Sequence, residues 1–412
     1  MKVIIKNFGP INDAEFELGD ITIVIGPNAS GKSFISLLLY SIFGARPIPS
    51  PKDLEQPVKD EMSLSSYLDT INKVLSRTLR RGLERVFGVD YKELITVGNQ
   101  ESKISFVNKI GSLDIILGEE FKVVTKLNKD IKIFMSFTES KDMPFGSISA
   151  RVHAADDNYT INVHYGTDFP KSLRDKFNEL LEIQKRRVLA SILSEIVINL
   201  FFDDFRPVIV LPTERNLAVS NLIGYISTYI SIDKLSKISD KPVIRYFIRS
   251  LLNAMRILRN KEFSINTINL KYKIVEPFVL EVYEKDKKIP LSLLSSGYAQ
   301  ILPIDILSRF GKFIIIEEPE LNLHAGAQVS MANYLYNLIT EGKKLFLTTH
   351  SDIFTIQMTI NHVKKNNSEK LKIYLLNRGT MEEIEYTEKG DIESIPTITD
   401  VIREQVKEIY GE

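Results

Sequence analysis

Eight residues near the start of the chain constrain it more than any other feature, because they match the pattern G-x-x-x-x-G-K-[ST] without a departure. An unbroken β-branched run, Ile21–Ile25, precedes them, and an apolar helical pattern follows over Ser33–Phe43. A strand, a glycine-rich turn and a helix in this order predict a loop that binds phosphate groups through its backbone N–H groups. The loop reads Gly26-Pro27-Asn28-Ala29-Ser30-Gly31-Lys32-Ser33.

Each position of this loop has a chemical reason. Gly26 and Gly31 let the backbone wrap a phosphate without a Cβ in the way. Lys32 is expected to reach the β- and γ-phosphates, and the Ser33 hydroxyl to bind Mg²⁺. The pattern therefore predicts that all eight residues contact ATP, with Mg²⁺ as the second cofactor.

A second feature is an apolar strand that runs into carboxylates. Phe313–Ile316 is followed directly by Glu317 and Glu318. We expect Glu317 to hold the metal, directly or through water, and Glu318 to act as general base on the attacking water. The usual metal residue at this position is Asp, so Glu317 is longer by one methylene. Taken alone, the segment also fits a core strand that leaves into a charged loop.

Two further segments complete the pattern. Ser295 and Gly297 lie at the predicted start of a helix, where small residues form a second anion site. One protein face cannot bring both anion sites to the same nucleotide, so this segment is expected to touch the γ-phosphate held by another subunit. His350 ends the predicted strand Lys344–Thr348 and is expected to sense the γ-phosphate or to orient Glu318 and water. A plain serine N-cap and a structural histidine are the alternatives; the order of all four features favours function.

These residues together resemble an ABC-type ATPase head of the SMC/RecF/OLD group. The resemblance covers about 1–40 and 205–380. It implies an ABC-type fold and an ATPase that dimerises around ATP. It is carried by Lys6–Pro10, Gly19-Asp20, the P-loop, Leu294–Tyr298 as an LSGGQ-like signature with Ser296 in place of the first Gly, Glu317–His324 as an EEPExxLH segment, and Thr349–Ser351 as a histidine switch.

The chain departs from the family pattern in several places. His324 stands at the position of the D-loop aspartate, and no clear Q-loop glutamine is present. Pro212–Arg215 follows a strand at that point and resembles the P-x-E-R of OLD-like ATPases. Only 62 residues follow His350, fewer than the ~100 of a separate nuclease domain, so we expect no nuclease activity. Cysteine is absent, which excludes a zinc hook and disulfides.

The fold class we predict is α/β, a P-loop NTPase of the ABC-ATPase type. It has a mostly parallel central sheet, an antiparallel β lobe and a helical lobe that carries the signature. Residues 1–46 and 205–385 form a split ATPase core, 47–204 an inserted helical and antiparallel β region, and 386–412 a C-terminal tail. Short alternating runs between 91 and 166 indicate the antiparallel strands. We also predict helices over about 217–258 and a strand over Ile265–Tyr272.

Composition limits the partners and the compartment. Lysine plus arginine and aspartate plus glutamate are equal at 53 each, so net charge does not favour non-specific binding of nucleic acid. No signal peptide or membrane span is evident, and we expect a cytoplasmic protein. A basic helix face over 73–85 is either solvated or a DNA contact. His153, His164 and His362 are expected to be structural.

The function we predict is ATP hydrolysis by a homodimer, in DNA maintenance, repair or anti-phage defence. The alternative is an ATP-dependent clamp that recruits an effector protein with little turnover. DNA and an effector protein are therefore the candidate partners besides a second copy of the chain.

Overall fold

The computed structural model describes most of the chain. Its described residues are 1–412 without 51–52, 54–59, 141, 144–146, 156–157, 167–173, 216–239, 277–278, 366–369, 393–395 and 412. Most of the helical region predicted over 217–258 lies outside them. Within the described residues, no helix combines the length and the apolarity needed to cross a bilayer.

The strands of the described residues are, in chain order, β1 (Lys2–Phe8), β2 (Ile11–Glu17), β3 (Ile21–Ile25), β4 (Glu61–Ser63), β5 (Ser102–Asn108), β6 (Gly111–Leu117), β7 (Phe121–Leu127), β8 (Lys132–Ser140), β9 (Ile148–Ala155), β10 (Asn158–Gly166), β11 (Val208–Leu211), β12 (Lys261–Ile265), β13 (Leu270–Glu276), β14 (Val279–Glu284), β15 (Lys287–Ile289), β16 (Phe313–Glu317), β17 (Lys344–Thr349), β18 (Leu371–Asn377) and β19 (Thr380–Glu383). The helices are α1 (Lys32–Phe43), α2 (Leu68–Phe87), α3 (Arg174–Phe202), α4 (Pro242–Ile257), α5 (Ser296–Ser308), α6 (Ala325–Thr340), α7 (Asp352–Lys364) and α8 (Pro396–Tyr410). Short 3₁₀ turns lie at Leu64–Tyr67, Tyr91–Leu94, Asp203–Phe205, Asn266–Ile268 and Leu291–Leu293.

The chain divides into two compact units. Unit 1 comprises Met1–Gly44, Gly82–Ser102 and Asp204–Glu412. Unit 2 comprises Ala45–Arg81 and Lys103–Asp203. Residues 82–102 therefore belong to unit 1, although they lie within the region that we predicted as a single insertion. The domain assignment from the sequence stays a prediction.

The sheet of unit 1 contains a parallel block in the strand order β11-β16-β17-β3-β18. All four pairings within this block are parallel. Strands β16 and β3 are buried along their whole length, as expected for strands covered on both faces. Antiparallel β19 continues from β18, and β2 and the antiparallel β1 follow. The α/β fold class is confirmed; the large sheet is mixed, with β11, β16, β17, β3 and β18 as a parallel block.

A second sheet of unit 1 is an antiparallel meander, β12-β13-β14-β15. The strand predicted over Ile265–Tyr272 is wrong, because the chain turns back between β12 and β13. Asn269 has a φ of 50°, a left-handed conformation that asparagine tolerates better than most residues. The apolar residues alternate only over Ile268–Tyr272, and the 3₁₀ turn Asn266–Ile268 with Asn269 reverses the chain.

Unit 2 contains the hairpin β6-β7 and the four-stranded sheet β4-β8-β10-β9. In this sheet β9 pairs antiparallel with β10, but β8 pairs parallel with β10. The lobe is therefore mixed and not purely antiparallel. Alternation of apolar and polar residues reports the pleat of a strand and carries no information on the direction of its neighbour, which is why the sequence did not show this.

A buried acid connects three elements of unit 1. Asp305 on α5 is only 7% exposed. Its Oδ2 accepts hydrogen bonds from the Tyr272 hydroxyl at 2.5 Å and from Arg309 at 2.7 Å, and its Oδ1 accepts one from the Tyr334 hydroxyl at 2.8 Å. Burial, and then the charge of Asp305, raise the pKa of Tyr272 and of Tyr334. Both hydroxyls thus remain donors at neutral pH, and α5 is tied to β13 and α6.

We predict that Asp305→Ala lowers the free energy of unfolding by about 3 kcal/mol, because it leaves two buried hydroxyls and a guanidinium without their acceptor. Urea titration followed by circular dichroism measures it. Exposed Glu341→Ala is the control and should change the midpoint little. Equal midpoints for the two variants would show that the Asp305 network does not stabilise the unit.

Candidate functional site

The predicted phosphate loop follows β3 and leads into α1, which begins at Lys32. Two positions of the loop require glycine. A Cβ on Gly26 would lie 2.2 Å from the Leu376 carbonyl oxygen, and Gly31 has a φ of 109°. A side chain at either position would clash or strain the turn, so the local geometry explains both glycines of the pattern.

Lys32 is folded onto this loop. Its Nζ donates hydrogen bonds to the carbonyl oxygens of Gly26 and Pro27, each at 2.9 Å, and the residue is 6% exposed. Burial lowers the pKa of Lys32 to about 8, while the negative charges of Glu318, Glu320 and Glu317 oppose that shift. A largely buried ammonium group thus lies in the loop, in electrostatic contact with three carboxylates.

The strand order brings the sequence motifs to one edge. Strand β17 lies between β16 and β3, and both pairings are parallel. In this register Glu317 lies opposite Thr348, and Thr349 lies opposite Ile25. The residues that directly follow the three strands are therefore the P-loop, Glu318 and His350, at the carboxyl ends of adjacent parallel strands. This is where open α/β sheets bind their ligands.

Glu317 is the buried acid of the site, 6% exposed. Burial raises the pKa of Glu317 to about 7, and a hydrogen bond with Ser33 acts in the opposite direction. Its Oε1 is buried without a hydrogen-bond partner among the described residues. A carboxylate oxygen left open beside the hydroxyl of the P-loop serine fits the donor set of a Mg²⁺ ion that also binds phosphate oxygens.

Glu318 is the more accessible acid. One of its carboxylate oxygens lies 3.5 Å from His350 Nε2, and the two side chains are 27% and 32% exposed. The contact with His350 is the main cause that lowers the pKa of Glu318; burial opposes it, and Lys32 and Arg215 add to the lowering. Glu318 also has a φ of 45°, a strained conformation for a non-glycine residue that is frequent at functional sites. An ionised, partly exposed carboxylate of this kind is suited to accept a proton from water.

Arg215 fixes the backbone of both acids. Its guanidinium donates to the carbonyl oxygens of Glu317 at 2.5 Å and Glu318 at 2.7 Å, and also to that of Pro212 at 3.0 Å. The residue is fully buried. Burial lowers the pKa of Arg215 to about 10, and the charge of Glu320 is the strongest opposing cause. The sequence showed Arg215 within a P-x-E-R segment but not that its side chain points inward under the acidic strand end.

Glu320 belongs to the EEPExxLH segment, but no role for it follows from the sequence. Its Oε1 accepts hydrogen bonds from Thr349 Oγ1 at 2.7 Å and from the His350 backbone N–H at 2.8 Å. The only signal for it was its place in the Glu317–His324 segment. Its bonds depend on the pairing of β16 with β17, which a linear motif does not display.

The signature segment lies at the start of α5. Ser295 caps this helix, with its Oγ accepting from the Tyr298 N–H at 3.3 Å, and the Ser296 hydroxyl donates to the Asn322 carbonyl oxygen at 3.2 Å. Ser295 and Gly297 line a cavity of about 360 Å³ together with His324, and no residue of 26–33 is among its described lining residues. The structure therefore brings the P-loop, Glu317, Glu318 and His350 together and places Ser295 and Gly297 in a separate cavity. His324, at the D-loop position, caps α6.

The fold of this chain leaves room for a side chain at Gly297. Its φ is not positive, and an added Cβ would meet nothing closer than 3.5 Å, the Cδ2 atom of Leu323. Gly26 and Gly31 differ in this respect, because a Cβ at either position would clash or strain the backbone.

The sequence matches the model of the AAA ATPase domain over residues 1–355. It has no significant match among curated proteins. Solved structures that it resembles include an SMC head domain from Thermotoga maritima, at 11% identity and a TM-score of 0.40 over 94% of this chain and 98% of that one. An Smc head domain with an extended coiled coil, bound to the C-terminal domain of ScpA and derived from Pyrococcus furiosus, is 10% identical, with a TM-score of 0.38 over 98% and 99% of the two chains.

A third similar structure is an ATP-binding cassette of an ABC transporter in its ADP conformation, at 12% identity and a TM-score of 0.34 over 98% of this chain and 99% of that one. The family match covers well over half of the chain, and it agrees with the loop, the acids and the strand order described above. The chain belongs to the AAA ATPase domain family.

Proposed function

We propose that this chain is an ATPase that converts ATP and water to ADP and phosphate. Gly26 through Ser33 bind the nucleotide, with Lys32 neutralising the β- and γ-phosphates. Glu318 accepts the proton of the attacking water, and His350 holds Glu318 and that water in line. The AAA ATPase family match supports ATP as the substrate, and the site residues are supported by their geometry.

The observation that carries this proposal is the meeting of three strand ends at one edge. Lys32 supplies a buried positive charge, and Glu318, whose pKa is lowered, supplies an ionised base next to His350. Catalysis of phosphoryl transfer requires little more than positioning and charge stabilisation. Lys32, Glu318 and His350 at the ends of these parallel strands support both roles.

The second cofactor in the proposal is Mg²⁺. Ser33 and Glu317 would hold it, together with phosphate oxygens of the substrate. The fit rests on the buried Oε1 of Glu317, which has no hydrogen-bond partner within the part of the chain that the structure describes. When bound, the ion would neutralise charge that develops on the phosphates. Glu317 must be ionised for this role, so the raised pKa of its carboxyl links metal binding to proton release.

The working form we propose is a homodimer that closes over ATP. Ser295 and Gly297 of one copy would touch the γ-phosphate bound by the other copy, because they line a cavity separate from the P-loop in their own chain. Gly297 supports this. The fold of its own chain leaves room for a Cβ there, whereas a phosphate that approached the backbone closely would exclude one. ATP then forms part of the interface, and dimerisation is linked to ATP binding.

The cellular role we propose is DNA maintenance, repair or anti-phage defence in the cytoplasm. It is supported by the resemblance to SMC/RecF/OLD heads. The alternative is a slow clamp that recruits an effector protein while ATP stays bound. Turnover measured with and without double-stranded DNA separates the two: stimulation by DNA supports the first, and a rate near zero in every condition supports the clamp.

We predict opposite behaviour for two site variants. Lys32→Ala should weaken ATP binding by about 10- to 100-fold, because a charge-assisted contact to phosphate is lost, and it should remain monomeric. Glu318→Gln should keep ATP binding, lose on the order of 10²-fold or more in kcat, and accumulate as an ATP-bound dimer. Size-exclusion chromatography with and without Mg-ATP and a phosphate-release assay measure both. Unchanged kcat in Glu318→Gln would remove it as the base.

We predict that Gly297→Ala folds normally and fails in dimerisation. Its Tm should lie within about 2 °C of wild type, since space exists for the added methyl group. ATP binding to the monomer should be retained, whereas the ATP-dependent dimer should weaken and turnover fall by roughly 10-fold or more. Analytical ultracentrifugation measures it, with exposed Glu388→Ala, outside the site, as a control for turnover. A Gly297→Ala protein that dimerises normally would contradict the two-sided grip on ATP.

We predict that Glu317→Gln stabilises the nucleotide-free protein at high pH. The folded-state pKa of Glu317, about 7, lies above its ordinary value of 4.5. Wild type therefore loses stability relative to the neutral amide as the pH rises from 4.5 through 7. In EDTA the Tm advantage of Glu317→Gln should be roughly 4 °C or more at pH 8 and much smaller at pH 5. Exposed Glu388→Gln is the control, and a pH-independent difference would contradict the burial of this charge.

A further inference from the structure

Glu320 is a buried acid to which the proposed mechanism gives no part. The residue is 8% exposed, and its Oε2 is buried without a hydrogen-bond partner among the described residues. Its Oε1 accepts two hydrogen bonds, both from the segment that carries His350: Thr349 Oγ1 at 2.7 Å and the His350 backbone N–H at 2.8 Å. A single carboxylate oxygen thus holds the residue that contacts Glu318.

The contact between Glu318 and His350 closes a small ring of interactions. Glu318 and Glu320 lie on the turn after β16, and His350 lies at the end of β17. The Glu318 N–H donates to the Thr348 carbonyl oxygen at 2.8 Å, and the Glu318 carboxylate lies 3.5 Å from His350 Nε2. With the two bonds to Glu320, the turn contacts the end of β17 through backbone, through His350 main chain and through His350 side chain.

The other side of His350 is fixed as well. Thr349 Oγ1, which donates to Glu320, accepts from the Ser351 N–H at 2.9 Å. Ser351 caps α7 by accepting from the Phe354 N–H at 3.0 Å. The main chain of His350 is thus held between Glu320 and the start of a helix, and loss of Glu320 releases one of these two anchors.

Burial of a carboxylate costs desolvation free energy even when it makes two hydrogen bonds, because its charge must be compensated. Here the compensation comes from site residues. The charge of Glu320 is the strongest attractive influence on buried Arg215 and the second strongest on Lys32. Glu320 is therefore part of the same charge cluster as the P-loop lysine.

We propose that Glu320 is a positioning residue for ATP hydrolysis: it holds the His350 main chain so that the imidazole stays in contact with Glu318. The inference rests on the proposed function and adds to it the residue that sets the Glu318–His350 geometry. Glu320 itself does not touch the water or the phosphate. Its loss should affect the rate of the chemical step and leave ATP affinity nearly unchanged, since a small misplacement of catalytic groups costs on the order of 10²-fold.

The test compares Glu320→Ala with Glu320→Gln, which keeps an acceptor oxygen. For Glu320→Ala we expect kcat to fall about 10- to 100-fold with the KM for ATP within about 2-fold, and for Glu320→Gln to recover most of this loss. Hydrogen exchange of the His350 amide provides a readout independent of activity. Its protection should fall by roughly 10-fold in Glu320→Ala and persist in Glu320→Gln. Exposed Glu388→Ala should match wild type in both measurements.

A double variant separates positioning from general destabilisation. If Glu320 acts through His350, adding Glu320→Ala to His350→Ala should lower kcat by less than about 2-fold further. Three results would each overturn the proposal. They are a double-variant kcat that falls by the product of the two single losses, unchanged exchange protection of the His350 amide in Glu320→Ala, and an unchanged kcat in Glu320→Ala. If wild type hydrolyses no ATP, the proposed ATPase function is refuted, and with it a role for Glu320 in turnover. If wild type hydrolyses ATP and Glu320→Ala does so at the same rate, only the positioning role is refuted.

Discussion

The register of β16, β17 and β3 ends three parallel strands at one edge of the sheet, and the chemistry proposed for this chain depends on that edge. Hydrogen bonding between the strands fixes which residues leave the sheet side by side. The phosphate loop, the acidic turn and His350 are far apart in sequence, yet each is the first segment after its strand. Because the strands are buried, they form a rigid support for loops that must hold catalytic groups within fractions of an ångström.

The edge concentrates buried charge. Lys32, Arg215, Glu317 and Glu320 are each at most 8% exposed. Burial shifts the pKa values of Lys32, Arg215 and Glu317 toward their neutral forms. Such an arrangement is unfavourable in isolation and becomes favourable when anionic phosphate and a divalent cation enter it. We therefore regard the cluster as a site organised for a charged ligand, with Arg215 and Glu320 as its internal supports.

The local motifs of this site are evident in the sequence, whereas contacts between distant segments are not. The P-loop and the acidic strand end are contiguous motifs whose residue types follow from their chemistry, so both were evident. Arg215 and Glu320 act through contacts with segments distant in sequence, and their burial is a product of the strand order. The parallel pairing of β8 with β10 was missed for the same reason, since alternation does not encode strand direction. Asn269 shows a different case, in which a turn inside the predicted strand Ile265–Tyr272 reverses the chain.

A crystal structure of the Glu318→Gln protein with Mg-ATP tests the central claim most directly. The account predicts a γ-phosphate within hydrogen-bond distance of Lys32 Nζ in one copy and of Ser295 in a second copy, with the metal beside Ser33 and Glu317. A nucleotide bound away from residues 26–33, or one whose γ-phosphate meets no Ser295 in any assembly of the crystal, would contradict it.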